Sequence, residues 1–359
     1  MQKIFFHKLA GRCIAVLAMV IFFSACEKDK DGTPDVKPGN MASGMLSPAE
    51  AGGGDLLTLS GSGIGDIRSI VFEKNNVPAP FTPTLNTESN LIFHVPDTAY
   101  GGSQNVIFTN SAGKTLSVAF NVLAFASVSD VSNYNFTEGV EITLTGNNLE
   151  DVSKVVFTGT AEEIDIVSKS RKTLVIKMPA TEIARSTLDI TNSTGKITTT
   201  QEFVNLDKAL QIFTDGYGPD YGDNSWGDGA VISTTEFKSG TKSISKTYAK
   251  GNWHVFGFAN WWPGTASDPA YKYFSFWVKG AAADHILYIT GDKRTGGFGN
   301  GDQSAPVNVP ANVWTYYKIP LSTLNLWATG SPFNQIGFWI KGPDNQDEKF
   351  YLDDVILIK

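Results

Sequence analysis

The chain contains an internal repeat. Residues 57–61 (LTLSG) return 85 positions later as residues 142–146 (ITLTG), and residues 106–114 return 82 positions later as residues 188–196. Two further blocks lie between them and recur in the same order: residues 70–72 and 91–96 match residues 155–157 and 174–179. Four blocks in constant order indicate two copies of one structural unit.

Each copy is built from short β-branched runs in which apolar residues alternate, separated by clusters of Gly, Pro, Asn and Ser. This pattern predicts two small antiparallel sandwiches of the immunoglobulin type, over residues 46–124 and 125–206. The Gly-rich opening, the TLTG and VVF strands, the strands that end at Pro96 and Pro179, and the hairpin NS-x-GK resemble the IPT/TIG family. We expect both domains to act as spacers.

Aromatic residues separate the rest of the chain from these repeats. All eight Trp and nine of the eleven Tyr follow residue 209. Residues 273–280 (YFSFWVKG) and 336–342 (IGFWIKG) alternate, so Phe274 and Phe276 share one strand face while Ser275 and Trp277 share the other. No long segment shows helical periodicity, and the predicted fold class is therefore all-β, with a jelly-roll β-sandwich over residues 210–359.

The runs FWVKG, KIPL, FWIKG and FYLDDV resemble jelly-roll carbohydrate-binding modules. Together with the repeats, this order of domains is similar to the SusE-positioned surface glycan-binding lipoproteins of Bacteroidetes. The resemblance implies non-catalytic capture of xyloglucan or another β-glucan. It also implies a polysaccharide-utilisation system with a SusC/SusD-like transporter pair as partner.

The N-terminus reads as a targeting segment. Lys3, Lys8 and Arg12 precede an apolar run of about ten residues that ends in Ser-Ala-Cys26, a signal-peptide layout too short to span a bilayer. The segment resembles a lipoprotein signal over residues 1–25, which implies lipidation of Cys26 and an outer-membrane protein that faces the cell exterior. The alternative is a spare cysteine near an ordinary cleavage site. Residues 26–45 are polar and predict a flexible tether.

Cysteine content and charge exclude several classes of function. The two cysteines, Cys13 and Cys26, both lie near the N-terminus, so the body of the protein has neither a disulfide nor a catalytic thiol. After cleavage before Cys26, 26 basic residues stand against 36 acidic ones, a net charge of −10. This balance does not favour binding to nucleic acid.

The candidate glycan-binding residues are aromatic side chains in loops. Trp261 and Trp262 stand before Pro-Gly at a strand end, and Trp226 lies in a polar, glycine-rich loop. Flat indole rings stack on the C–H faces of sugars and lose little rotamer entropy. Trp253 is a further candidate, and Asn260 and Arg294 are predicted to supply hydrogen bonds to hydroxyl groups.

The sequence predicts neither an enzyme nor a cofactor. It has no H-E-x-x-H or G-x-S-x-G motif, and mature histidines are only His94, His254 and His285. Jelly-roll modules often carry a structural calcium; no D-x-D-x-D-G spacing is present here, and a structural calcium is left as the alternative to no cofactor. A glycan-degrading enzyme and a surface adhesin for host glycoprotein remain the alternative functions.

Overall fold

The computed structural model describes residues 39–359, without the side chains of Ser43 and Gly44. The predicted signal peptide, Cys26 and most of the predicted tether lie outside these described residues. Contacts between residues divide the chain into two compact units, and the boundary along the chain falls between Phe125 and Ala126. In the described part of the chain, helices are too short or too polar to cross a bilayer.

The first unit is a β-sandwich of a three-stranded sheet, β1–β3–β6, and a five-stranded sheet, β2–β8–β7–β4–β5. Its strands are β1 (Ala42–Ser47), β2 (Glu50–Gly52), β3 (Leu56–Ser62), β4 (Ile67–Phe72), β5 (Val77–Pro78), β6 (Asn90–His94), β7 (Gly102–Asn110) and β8 (Thr115–Leu123). Two 3₁₀ turns, Lys74–Asn76 and Pro83–Leu85, lie in its loops. Phe72, Phe93 and Phe108 pack edge to face in the core between the sheets.

The second unit begins with a similar sandwich. Its strands are β9 (Ser127–Val131), β10 (Asn135–Phe136), β11 (Glu141–Asn147), β12 (Lys154–Phe157), β13 (Asp165–Lys169), β14 (Thr173–Lys177), β15 (Arg185–Ser186), β16 (Leu188–Thr191), β17 (Lys196–Thr198) and β18 (Phe203–Asn205). They form the sheets β13–β14–β11–β9, β12–β16–β17 and β10–β18–β15. The repeated sequence blocks lie on corresponding strands, since β3 pairs with β1 and β6 as β11 pairs with β9 and β14.

After a 3₁₀ turn, Leu206–Lys208, the second unit continues as the aromatic-rich sandwich, hereafter the C-terminal domain. Its elements are β19 (Leu210–Phe213), β20 (Gly222–Asp223), β21 (Val231–Ser233), β22 (Ser243–Tyr248), β23 (Trp253–Ala259), β24 (Tyr273–Lys279), β25 (His285–Gly291), β26 (Pro306–Val309), β27 (Trp314–Pro320), α1 (Leu321–Leu324), β28 (Gln335–Lys341) and β29 (Glu348–Ile358). The inner sheet runs β21–β22–β29–β24–β27, with β19 also on β29, and the outer sheet runs β20–β23–β28–β25–β26. The predicted all-β fold class is confirmed.

Both faces of β24 are buried, and for different reasons. Phe274, Phe276 and Val278 enter the core between the two sheets. Ser275 and Trp277, on the opposite face, are buried against the second immunoglobulin-like domain. One face of β24 therefore packs in the core of the C-terminal domain, and its other face packs in the junction with the second immunoglobulin-like domain.

The junction is aromatic at its centre. Tyr134 stacks on Tyr316 with a centroid distance of 4.6 Å and on Trp277 at 5.9 Å. The Trp277 indole N–H donates to Asn133 Oδ1 at 3.0 Å, which satisfies the polar edge of a buried ring. The second immunoglobulin-like domain and the C-terminal domain are thus joined by packed rings as well as by the chain.

Two carboxylates lie at the same junction. The sequence predicts one buried and one solvent-facing side chain for Asp353 and Asp354, because neighbours on a strand point to opposite faces. The structure buries both. The β29–β24 register shifts here, and Asp354 has a φ of 46°, so this β-bulge breaks the alternation. Both carboxylates accept hydrogen bonds from the segment at Ser239.

We expect this pair to make stability depend on pH. Burial, followed by the charge of Asp354, raises the pKa of Asp353; burial, followed by Asp215, raises that of Asp354. The folded state therefore holds protons that the unfolded chain releases near pH 4, and the free energy of unfolding falls as the pH rises above that value. One pKa unit is worth about 1.4 kcal/mol, or roughly 3–5 °C in melting temperature for a unit of this size.

The Asp354→Asn variant tests this expectation, because Asn tolerates the left-handed backbone and can accept the same hydrogen bonds. Its melting temperature should fall less between pH 5 and pH 8 than that of the wild type. Asp207→Asn, which neutralises an exposed carboxylate nearby, serves as the control and should follow the wild-type curve. Parallel curves for all three proteins would contradict the assignment.

Candidate functional site

Strand β23 carries the candidate indoles at its two ends. Trp253 is its first residue, whereas Trp261 and Trp262 follow its end. Trp226 lies beside Val255, because its backbone N–H donates to the Val255 carbonyl at 2.9 Å. At about 3.3 Å per strand residue, the six positions from Val255 to Trp261 correspond to roughly 20 Å. The structure therefore divides the predicted binding residues into two groups.

The first group is the Trp261–Trp262 turn, residues 260–264. The two side chains are 65% and 84% exposed. Asn260, in contrast, is only 6% exposed, and its Oδ1 accepts the Gly264 N–H at 3.0 Å. Asn334 Nδ2 donates to the carbonyls of Asn260 at 2.9 Å and Trp261 at 3.3 Å. Hydrogen bonds therefore fix the backbone of the turn, whereas both indole side chains are exposed to solvent.

Trp327 fixes the chain that follows the turn. Its indole N–H donates to the Thr265 carbonyl at 2.8 Å, and its ring packs on Phe333 at a centroid distance of 5.2 Å. The side chain is partly buried and packs against the domain core. Trp327 and Asn260 therefore support the Trp261–Trp262 turn from inside the domain.

A cavity of about 570 Å³ adjoins this turn and is lined in part by Asn260 and Gly264. Asp220, Asp268 and Tyr271 contribute polar groups to its wall, and among the described residues no Lys, Arg or His lines it. Burial, followed by the charge of Asp268, raises the pKa of Tyr271, so its phenol stays protonated at neutral pH. The cavity therefore offers hydrogen-bonding groups to a neutral polar ligand.

The loop between β25 and β26, residues 292–305, folds back over the outer sheet. A Cβ atom at Gly257 would lie 2.9 Å from the Phe298 ring, so the loop places Phe298 directly over that strand. Thr290 Oγ1 accepts the Gly299 N–H at 2.7 Å, and the Trp339 indole N–H donates to the Asp302 carbonyl at 2.9 Å. This long loop is bound to the sheet along its course.

Arg294 belongs to this loop, and its side chain points into the domain interior, so that it is only 5% exposed. Its Nη1 donates to the Leu324 carbonyl, and its Nη2 donates to Asp302 at 3.0 Å and to Ser304 Oγ at 2.8 Å. The guanidinium joins the loop to α1. The structure thus places both predicted polar residues, Asn260 and Arg294, in the interior, where each supports a loop.

The second group is the Trp226–Trp253 surface, where the two indoles are 42% and 48% exposed. Trp226 meets Phe298 edge to face at a centroid distance of 5.7 Å. The backbone of Gly299 closely approaches the Trp226 ring, and a Cβ at Gly301 would lie 3.1 Å from the Trp253 ring. The long loop supports both indoles.

Sequence reasoning missed the aromatic ladder beneath this surface. Tyr288, Trp339 and Trp253 stack across β25, β28 and β23 with centroid distances of 4.7 Å and 4.9 Å. A signal was present, because Trp339 alternates with the core residues Phe338 and Ile340 and so must lie on the outer face. The ladder fixes the plane of Trp253, with only 5° between it and Trp339.

Acidic side chains do not converge in a way that suggests a metal centre. Within residues 39–359, no group of three or more His, Cys, Asp or Glu side chains could hold a metal ion. The adjacent carboxylates Asp353 and Asp354 are both buried at the domain junction.

Comparisons with known proteins support the architecture. No family model matches the sequence, and neither does any curated protein. The crystal structure of the surface glycan-binding protein PbSGBP-B from Prevotella bryantii aligns with a TM-score of 0.52 at 17% identity, and covers 89% of this chain and 99% of that one. The fold is similar to that of a surface glycan-binding protein.

Two further structures align at lower scores. One is SGBP-B from a complex xyloglucan utilization locus in Bacteroides uniformis, with a TM-score of 0.43 at 18% identity over 89% of this chain and 98% of that one. The other is a family 11 carbohydrate-binding module from Clostridium thermocellum in complex with a mixed-linked tetrasaccharide. Its TM-score is 0.29 at 20% identity, over 42% of this chain and 94% of that one.

Proposed function

We propose that this chain is a non-catalytic lipoprotein of the cell surface that captures a neutral β-glucan such as xyloglucan. Trp261 and Trp262 would provide the main contact. The observation that carries the proposal is a pair of adjacent, largely exposed indoles on a turn whose backbone is fixed by Asn260 and Asn334. Exposed apolar surface of this kind is a liability unless a ligand covers it.

The chemistry of the turn suits a sugar chain. An indole face packs on the C–H patch of a pyranose ring, and a Trp side chain loses little rotamer entropy when it does so because it has only two side-chain torsions. The neighbouring cavity supplies Asp220, Asp268 and Tyr271 for hydroxyl groups. Because two carboxylates and no cations line it, we expect neutral glucans to bind in preference to polysaccharides rich in uronic acids.

The similarity in fold to PbSGBP-B supports a binding role, and the lipid anchor proposed at Cys26 would hold the protein on the outer membrane. The two immunoglobulin-like domains would then act as spacers. A SusC/SusD-like transporter pair is the partner that such a role requires, because captured polysaccharide must be passed on for uptake.

Calorimetric titration against a panel of neutral and acidic polysaccharides tests the proposal. We expect micromolar to millimolar affinity for a neutral β-glucan, and a loss of about 10- to 100-fold for Trp261→Ala or Trp262→Ala, as when a central aromatic contact is truncated. Phe237→Ala removes another exposed aromatic side chain elsewhere in the domain and is the control. Wild-type affinity in both Trp variants would refute the site.

Two outcomes would favour the other functions. Release of reducing sugar during overnight incubation with the polysaccharide that binds would indicate a glycan-degrading enzyme. Binding to host glycoproteins, with none to plant or microbial polysaccharides, would indicate an adhesin.

A further inference from the structure

The Asp353–Asp354 pair lies where three parts of the second unit meet. Asp354 Oδ2 accepts hydrogen bonds from Asn135 Nδ2 of the second immunoglobulin-like domain at 3.1 Å and from Ser239 Oγ at 2.8 Å. Asp353 Oδ2 accepts the backbone N–H groups of Lys238 and Ser239 at 2.8 Å and 3.1 Å. The pair therefore joins β29 both to the neighbouring domain and to the loop between β21 and β22, residues 234–242.

The pair has little positive charge around it. Asp353 and Asp354 are 0% and 1% exposed, and within residues 39–359 no ion pair reaches either carboxylate. The Lys238 ammonium instead lies 4.3 Å from the centroid of the Trp277 ring. Asp215 adds a third acidic group, because its charge helps to raise the pKa of Asp354. Two adjacent carboxylates are thus buried with at most one cation to offset them.

The other titratable groups that face the junction do not neutralise the pair. Burial raises the pKa of both Tyr134 and Tyr316, so their phenols stay neutral. The remaining cations form ion pairs with other acids, Lys279 with Glu236 and both Arg185 and Lys318 with Glu202. The remaining acids add only negative charge: Asp130, Glu141 and Asp207.

A cavity of about 490 Å³ adjoins the pair. Asn133 and Asn135 line it from the second immunoglobulin-like domain, and Asp215 and Ser239 line it from the C-terminal domain. Asp354 is part of the same wall. Separation of the two domains along this cavity would bring water to the carboxylate, whereas the closed junction keeps it buried.

We infer that this junction is a pH-sensitive clamp, which is closed while the Asp353–Asp354 pair keeps a proton and opens when that proton is released. In the closed junction, burial and then the charge of Asp354 raise the pKa of Asp353 to about 8. In the open junction, water solvates both carboxylates, and their pKa values return towards about 4.

The sign of the effect follows from these two states. Opening releases a proton between about pH 4 and pH 8, so each pH unit in this range favours the open state by up to about tenfold. Below this range both states hold the proton, and above it neither does, so the dependence ends on both sides. The clamp changes how the C-terminal domain is connected to its neighbour, and it requires no glycan.

Hydrogen exchange of the full chain between pH 5 and pH 8 tests the clamp, with rates corrected for the intrinsic effect of pH. Peptides over residues 132–137 and 235–241 report the two sides of the junction. Their opening constant should rise by about tenfold per pH unit. At pH 8 both should exchange at least about tenfold faster than the amides between β23 and β28, which require unfolding of the domain.

Variants separate the pair from its surroundings. Asp353→Asn/Asp354→Asn cannot lose the proton, so its junction exchange should be almost independent of pH. Asp207→Asn neutralises an exposed carboxylate in the cavity wall and should keep the wild-type slope. An unchanged slope in the double variant would overturn the inference.

The wild-type series is decisive even without a folded double variant. Junction exchange that does not change between pH 5 and pH 8 would refute the clamp. So would equal exchange of the junction and the β23–β28 amides at pH 8, because the domain would then open only by unfolding. A response in residues 235–241 without one in residues 132–137 would show that the loop moves while the domains stay together, which also refutes it.

Discussion

Replacement of Arg294 by alanine should destabilise the C-terminal domain by about 1.5–3 kcal/mol, the usual worth of hydrogen bonds to charged groups, because Asp302 is partly exposed and water can reach its carboxylate. The variant leaves the Leu324 carbonyl and the Asp302 carboxylate without their main donor. In a unit of this size, the loss corresponds to a fall of roughly 3–12 °C in melting temperature, measured by scanning calorimetry.

The same variant should change the response to acid. Burial alone would raise the pKa of Asp302, but hydrogen bonds from Ser304 and Arg294 hold it below its ordinary value. A lowered pKa adds stability above the pKa of the unfolded chain, and this stability is lost as the pH falls. Arg294→Ala should therefore lose less stability between pH 5 and pH 3 than the wild type.

Two substitutions, one at the preceding residue and one at the same position, provide controls for Arg294→Ala. Lys293→Ala removes an adjacent cation whose 3.7 Å pair with Asp292 is partly exposed, and it should change stability by less than about 1 kcal/mol. Arg294→Lys keeps the charge without the planar fork and should be intermediate. If Arg294→Ala melts within 1 °C of the wild type, the guanidinium does not hold the long loop.

Trp277→Ala should uncouple the unfolding of the second immunoglobulin-like domain from that of the C-terminal domain. The ring is buried between Tyr134 and Tyr316, and the Lys238 ammonium lies 4.3 Å from its centroid. Loss of a buried Trp costs about 3–5 kcal/mol. Because this ring belongs to the junction, we expect one calorimetric transition of the second unit to become two.

Trp314→Ala is the matched control on the same sheet. Its ring is half-buried and meets Tyr351 at a centroid distance of 6.4 Å, and among the described residues it makes no ring contact with Tyr134. This variant should lower the melting temperature less and should leave a single transition for the unit. A single transition in Trp277→Ala would show that the domains are coupled through other contacts.

Local patterns in the sequence predicted much of this architecture. The repeat predicted two related sandwiches, and the alternation in β24 and β28 predicted which side chains leave the core. The exposure of Trp261 and Trp262 followed from their place before Pro-Gly at a strand end. Each of these inferences depends on neighbours along the chain, where strand geometry alone sets the direction of a side chain.

The remaining features depend on contacts between distant segments. Arg294 lies in a glycine-rich, polar loop that looked solvent-exposed, and only the fold-back of that loop buries it. Trp226 lies near the start of β23, far from Trp261 and Trp262 at its end, because residues 222–226 run antiparallel to that strand. The bulge at Asp354 shifted a side chain by one position, which no local pattern marks.

The buried junction around Tyr134, Trp277 and Tyr316 sets the smallest piece that can be transplanted. A fragment that begins at residue 210 would expose Trp277 to water and leave Asp354 without its hydrogen bond from Asn135. The smallest fragment that keeps this junction intact is therefore Ala126–Lys359. Fusion proteins that contain this whole fragment should remain soluble, whereas fusions of the shorter fragment should aggregate.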